Sequence, residues 1–149
     1  MYRTLSVNKT LYEQEYERWL EEQVNLLRSR RFEELDIENL VEELEGLNKS
    51  NERELESHLI VLIAHLLKWE YQPNLRCGSW RGSILNSRNR ITRLFKQQPS
   101  LKRKLVEIIS EAYPDAKEWA SEETGIKISL FPDSCPYLDV DLLDKNFLP

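Results

Sequence analysis

His58 and His65, with Lys68, Trp69 and the later Trp80, are the side chains best suited to hold a small ligand or carry a reaction, because imidazole changes its protonation near neutrality. Metal binding is the first chemistry to weigh, and it is not expected. Seven residues of helix part the two histidines by about 10.5 Å along the axis, whereas two ligands from one helix normally sit a turn apart. The Glu-x-x-His pattern of di-metal carboxylate sites is also missing, since Leu55 and Leu62 stand three residues before His58 and His65. Glu54 and His58 form an i, i+4 pair. A histidine satisfied by a carboxylate or a backbone oxygen is therefore the expectation.

Nucleophilic catalysis has no better footing. No Gly-x-Ser-x-Gly elbow is present, and Cys77, although Arg76 beside it could lower its pKa, has no base positioned near it in sequence. Four isolated glycines supply neither a Walker loop nor a dinucleotide fingerprint, which excludes the standard nucleotide-dependent enzymes. No catalytic residue, metal or cofactor is assigned. Arg81, Arg88, Arg90, Arg93 and Lys96, in a basic run from Arg76 to Lys104, are the candidate phosphate contacts for a nucleic acid. Exposed aromatics among bases would suit a single strand, but Trp80 and Phe95 fall on the apolar face of their helix.

The histidines are carried by the stretch SHLIVLIAHLLKWEY, residues 57–71, which is apolar almost all the way round and so needs cover on most sides. It is too short and interrupted for a bilayer span, which takes about 20 apolar residues. Glu54, Ser57, His58, His65 and Lys68 fall on one edge of this core helix at 100° per residue, a polar seam.

Before it, Thr10 and Glu13 have the spacing of a capping box, and Tyr12, Tyr16, Trp19, Leu20 and Leu27 recur at helical intervals. Asp36 caps a second helix whose Leu40, Val41, Leu44, Leu47 and, beyond a polar patch, Leu55 stay in phase with Leu59, Leu62 and Leu66. The helix therefore runs on into the core helix or breaks at its weak point, Gly46 to Asn51. Pro73 ends it. Ser79 is the cap expected for a helix with Trp80, Ile84, Ile91, Leu94 and Phe95 on one face, stopping before Pro99. Ser100 can cap the next helix, kinked or briefly interrupted at Pro114 and closed by Gly125. The aromatics and leucines of the tail, residues 126–149, predict that it docks on the bundle.

At 149 residues the chain suits one domain, 1–149, and few glycines with 32% charged residues favour helices over a turn-rich β fold. The two cysteines form no metal or disulfide pattern. With no apolar leader at Met1 to Thr4, a cytoplasmic protein with free thiols is expected. The net charge of -5 hides a division: residues 1–70 carry 16 acids and 9 bases, 71–106 carry 9 bases and no acid, and 107–149 carry 10 acids and 3 bases. The simplest expectation is that the basic middle pairs with the acidic ends within the fold.

The strings LYEQEYERWLEEQ, LDIENLVEELEGL, HLLKWEYQP, SWRGSI, ETGI and FPDSCPY, in that order, resemble the bacterial family catalogued as domain of unknown function 29. The resemblance covers nearly the whole chain and implies an all-helical cytoplasmic protein with no established activity. Pro114 departs from a stretch that is more uniformly helical in that family. The fold expected is all-α: a single-domain bundle of about four to six helices around a central apolar helix, with an irregular docked C-terminal tail. The function favoured is a noncatalytic protein-interaction or self-association module. The alternatives are nucleic-acid binding by the basic segment 76–104 and a small-molecule site or enzyme at the His58/His65 seam. No membrane association is expected.

Overall fold

A computed structural model describes residues 11–149; Thr10 of the expected capping box and the Met1 to Thr4 opening lie outside the described residues. Among these residues the regular elements are all helical: α1 (Tyr16–Arg28), α2 (Ile37–Tyr71), α3 (Gly78–Gln97), α4 (Leu105–Thr124) and α5 (Asp139–Leu143), with short 3-10 turns between them. The all-α expectation holds. The chain clusters into two compact units, Met1–Lys49 and Ser50–Pro149. Their boundary falls inside α2, at the stretch expected to be weak, yet α2 runs unbroken for 35 residues. Of the two alternatives, the continuous helix is the one found.

The second unit is built on the later part of α2, where Leu55, Leu59, Leu62, Ile63, Leu66 and Leu67 are fully buried. At about 2 kcal/mol each, six such side chains contribute on the order of 10 kcal/mol before conformational entropy is set against them. Ile84, Ile91, Leu94 and Phe95 of α3 and Ile108, Ile109, Ala112, Ala116 and Ala120 of α4 close the same core. The tail completes it. Phe131, Tyr137 and Leu142 are buried, the Tyr113 hydroxyl donates to the Pro132 carbonyl at 2.5 Å, and the Tyr137 hydroxyl donates to Glu70 Oε2 at 2.6 Å.

Three local expectations are corrected. The cap of α3 is Cys77, not Ser79, and its side chain makes no capping bond. Ser100 lies in a 3-10 turn, Pro99–Lys104, so α4 starts only at Leu105. No break occurs at Pro114, which sits inside α4. A proline there removes one backbone bond at a cost of about 3 kcal/mol. Pro114 is exposed while Ala112, Tyr113 and Ala116 beside it are buried, so packing holds the helix through the defect. Gly125 closes α4 in the left-handed conformation, φ 74°, as a C-terminal glycine should.

The first unit is a helical hairpin. Tyr12 and Tyr16 donate their hydroxyls to Glu43 at 2.7 and 2.6 Å, while Trp19 Nε1 donates to Asp36 Oδ2 at 2.9 Å. Contacts therefore move up α2 as they move down α1, and the two helices are antiparallel. Asp36 precedes α2 as expected of a cap, accepts from Asn39 Nδ2 at 2.7 Å, and donates its backbone N–H to Gln23 Oε1 at 2.9 Å. Trp19 and Leu35 are the buried apolar side chains among this unit's described residues. Val41, Leu44 and Leu47, expected to face inward, do not: Leu44 is 65% exposed. Periodicity marks a common face of a helix but not what covers it.

Candidate functional site

The core helix positions His65 and Lys68 one turn apart, and α4 brings Trp119 and Glu123 against them. His65 is 8% exposed, and its Nδ1 lies 2.7 Å from the Val61 carbonyl. A carbonyl only accepts, so Nδ1 carries the hydrogen and donates it, which leaves Nε2 bare in the neutral ring. Burial pulls the His65 pKa below its ordinary value; the Val61 bond and Glu123 act against this, and Lys68 reinforces it. Trp119 packs edge-on to the imidazole with ring centres 5.7 Å apart.

Lys68 donates to Glu123 and lies over the Trp80 ring, 5.0 Å from its centre. Glu123 also accepts from Trp119 Nε1 at 2.7 Å, and these bonds, Lys68 first, hold its carboxyl below the usual range. The cluster thus ties α2, α3 and α4 together and neutralises its own charge. Each of these side chains already has a partner within the fold.

Of the five sequence candidates, the structure joins His65, Lys68 and Trp80 and separates the other two. His58 Nε2 stands 3.4 Å from Glu54 Oε1, the i, i+4 pair foreseen. Trp69 is covered by Arg76, whose guanidinium lies 5.0 Å from the ring centre and whose Nε donates to the Trp69 carbonyl at 2.9 Å. Trp119 and Glu123 are not legible from sequence, because a contact made across 55 residues leaves no local spacing to read. Among the described residues no group of three or more His, Cys, Asp or Glu side chains could hold a metal ion. A hollow of about 230 Å³ in this unit is lined by Arg81, Leu85, Lys145 and Leu148 among others, and by none of the histidine cluster.

The basic segment is distributed unexpectedly. Arg88 is 2% exposed, with Nε donating to the Leu142 carbonyl at 2.9 Å and a terminal nitrogen to that of Asp141 at 3.2 Å. It anchors the tail and is removed from any phosphate-binding surface. Lys104 pairs with Glu52. Arg81, Arg90, Arg93 and Lys96 are exposed and have no carboxylate partner among the described residues, so pairing within the fold does not account for the basic middle.

Among the described residues, an exposed apolar stripe lies on the first unit. Measured from the side of each helix that faces the other, Tyr16, Leu20, Val24 and Leu27 of α1 and Ile37, Leu40, Val41, Leu44 and Leu47 of α2 all turn in the same rotational sense. For antiparallel helices this puts them on one flank of the hairpin. All but Leu40, which is half-buried, are exposed, from 36% at Leu20 to 65% at Leu44. Beyond this stripe stand Glu17 and Glu21, with Arg28 at the end of the helix, on one side and Glu38 and Glu45 on the other.

Neither the curated proteins nor the solved structures include a match to this chain. The model of the family described as "Domain of unknown function DUF29" matches residues 11–148, in keeping with the all-helical architecture and the motif order, and the chain belongs to that family.

Proposed function

We propose that the chain is a noncatalytic protein-interaction module whose binding surface is the apolar flank of the hairpin, and that the occupant is a basic amphipathic helix of a partner protein. The exposed stripe from Tyr16 to Leu47 is the observation that carries this reading, since contiguous apolar surface of this kind is characteristic of docking sites. A helix laid along it would complete a three-helix core by helix-in-groove packing. Among the described residues of this unit only two apolar side chains are buried, and the exposure of the others favours a surface completed by a partner. The acidic rims select the sign of the partner's charge: two copies placed flank to flank would set carboxylate against carboxylate, whereas lysines beside an apolar stripe would meet them. The free thiols of Cys77 and Cys135 support a reducing, cytoplasmic setting, and among the described residues no helix is long and apolar enough to cross a membrane.

The test is calorimetric titration of the full chain with an amphipathic leucine–lysine helical peptide, its composition-matched scramble and a leucine–glutamate counterpart. The leucine–lysine helix should bind at least tenfold more tightly than either control. Val24→Asp with Leu44→Asp should weaken it at least tenfold, although added acid would strengthen a purely electrostatic contact. Equal binding of the scramble, or an unaffected variant that retains its helical circular dichroism, would remove the proposal. Sedimentation showing the free chain paired through this flank would replace the partner with a second copy.

A further inference from the structure

A second surface, independent of the hairpin, is the outer half of α3. At 100° per residue, Arg81, Thr92, Leu85, Lys96, Asn89, Gly82, Arg93, Asn86, Gln97 and Arg90 follow one another round a single half of the helix, with Gly78 and Ser79 of its first turn on the same half, and the core residues Ile84, Ile91, Leu94 and Phe95 occupy the other. All of this outer half is exposed except Asn89, which is half-buried. It contains no acid. Arg90, Arg93 and Lys96 succeed each other at i, i+3 spacing, an arrangement in which like charges destabilise a helix. Among the described residues no carboxylate pairs with them, and exposed Lys102 and Arg103 lie in the 3-10 turn that follows the helix.

From this we infer that the outer face of α3 binds duplex DNA, entering the major groove. An α-helix is about 10–12 Å across with its side chains and the groove is about 12 Å wide, so a helix exposed over half its circumference fits. The residue types match what base edges present: Arg90 and Arg93 suit guanine, and Asn86, Asn89 and Gln97 suit adenine, while Arg81, Lys96, Lys102 and Arg103 stand outside these as phosphate contacts. A single strand is the poorer fit, because Phe95 is buried and Trp80 lies under Lys68, which leaves no aromatic platform on this face. Duplex RNA is excluded by its deep, narrow major groove. A membrane surface is disfavoured because Leu85 is the lone apolar side chain of the half-circle.

The test is fluorescence anisotropy of the full chain with a pooled-sequence 20-base-pair DNA duplex, the matching RNA duplex, a single strand and polyglutamate. Duplex DNA should bind best at 50 mM salt. With four phosphates neutralised, its affinity should fall about 100-fold by 200 mM salt. Arg90→Glu with Arg93→Glu should weaken DNA binding at least tenfold without lowering the melting temperature, whereas Val24→Asp with Leu44→Asp should leave it unchanged. No binding at 50 mM salt, equal binding of RNA, single strand or polyglutamate, or full binding by the folded charge-reversal variant would each overturn the inference.

Discussion

Two buried cationic side chains, Lys68 and Arg88, are satisfied by partners 55 and 54 residues away, whereas buried His65 donates to the Val61 carbonyl one turn before it. His65 shows the consequence for pH. Its folded pKa lies below its unfolded value of about 6.5, so above that value the neutral ring of the native state suffices, and as pH falls below it the unfolded chain takes up more protons. Stability should therefore be lost as pH falls from 7 towards 5. The depressed Glu123 carboxyl has the same sign, but its loss begins only near 4.5, which leaves the upper window to His65. Urea denaturation at pH 7, 6 and 5 should show this slope in the wild type and a flatter one in His65→Phe; equal slopes would count against the assignment. His65, Lys68 and Trp80 were legible from sequence because two share one helix edge and the third follows a short connection. Trp119, Glu123 and the burial of Arg88 were not, since each depends on a contact made only when the chain has folded.

At the scale of elements, apolar spacing located the helices well and their caps poorly. Leu59 to Leu67 lie in the core as their density implied, while Ser79 and Ser100 gave way to Cys77 and Lys104, the residues before α3 and α4. The hydroxyl residues have the right chemistry for capping, but proline and the 3-10 turns place the helix starts elsewhere. Glycine behaves according to backbone geometry. Gly46 lies within α2, and a methyl group added there would meet nothing within 4 Å, so Gly46→Ala should stabilise the protein by about 0.5–1 kcal/mol. Gly125, at φ +74°, has equal space but the left-handed conformation, and Gly125→Ala should destabilise by about 1–2 kcal/mol. Chemical denaturation of the two variants checks the pair, and effects of the same sign would show that space, not conformation, decides.

For the whole molecule, the hydrophobic pattern identified α2 as its organising element, and its polar stretch from Gly46 to Asn51 is where the two units meet in sequence, but the pattern did not reveal the exposure of the hairpin's leucines. The first stretch of α2 carries Leu40, Leu44 and Leu47 with the same periodicity as the core stretch carries Leu55, Leu59 and Leu62, yet the latter are fully buried while Leu40 is half-buried and Leu44 and Leu47 are exposed. That difference is the basis of the proposed function. Hydrogen–deuterium exchange, with and without the leucine–lysine peptide, tests it most directly. The account predicts added protection in residues 16–28 and 37–47, with the amides of α3 and α4 unchanged. Protection confined to α3 and α4, or none at saturating peptide, would contradict it.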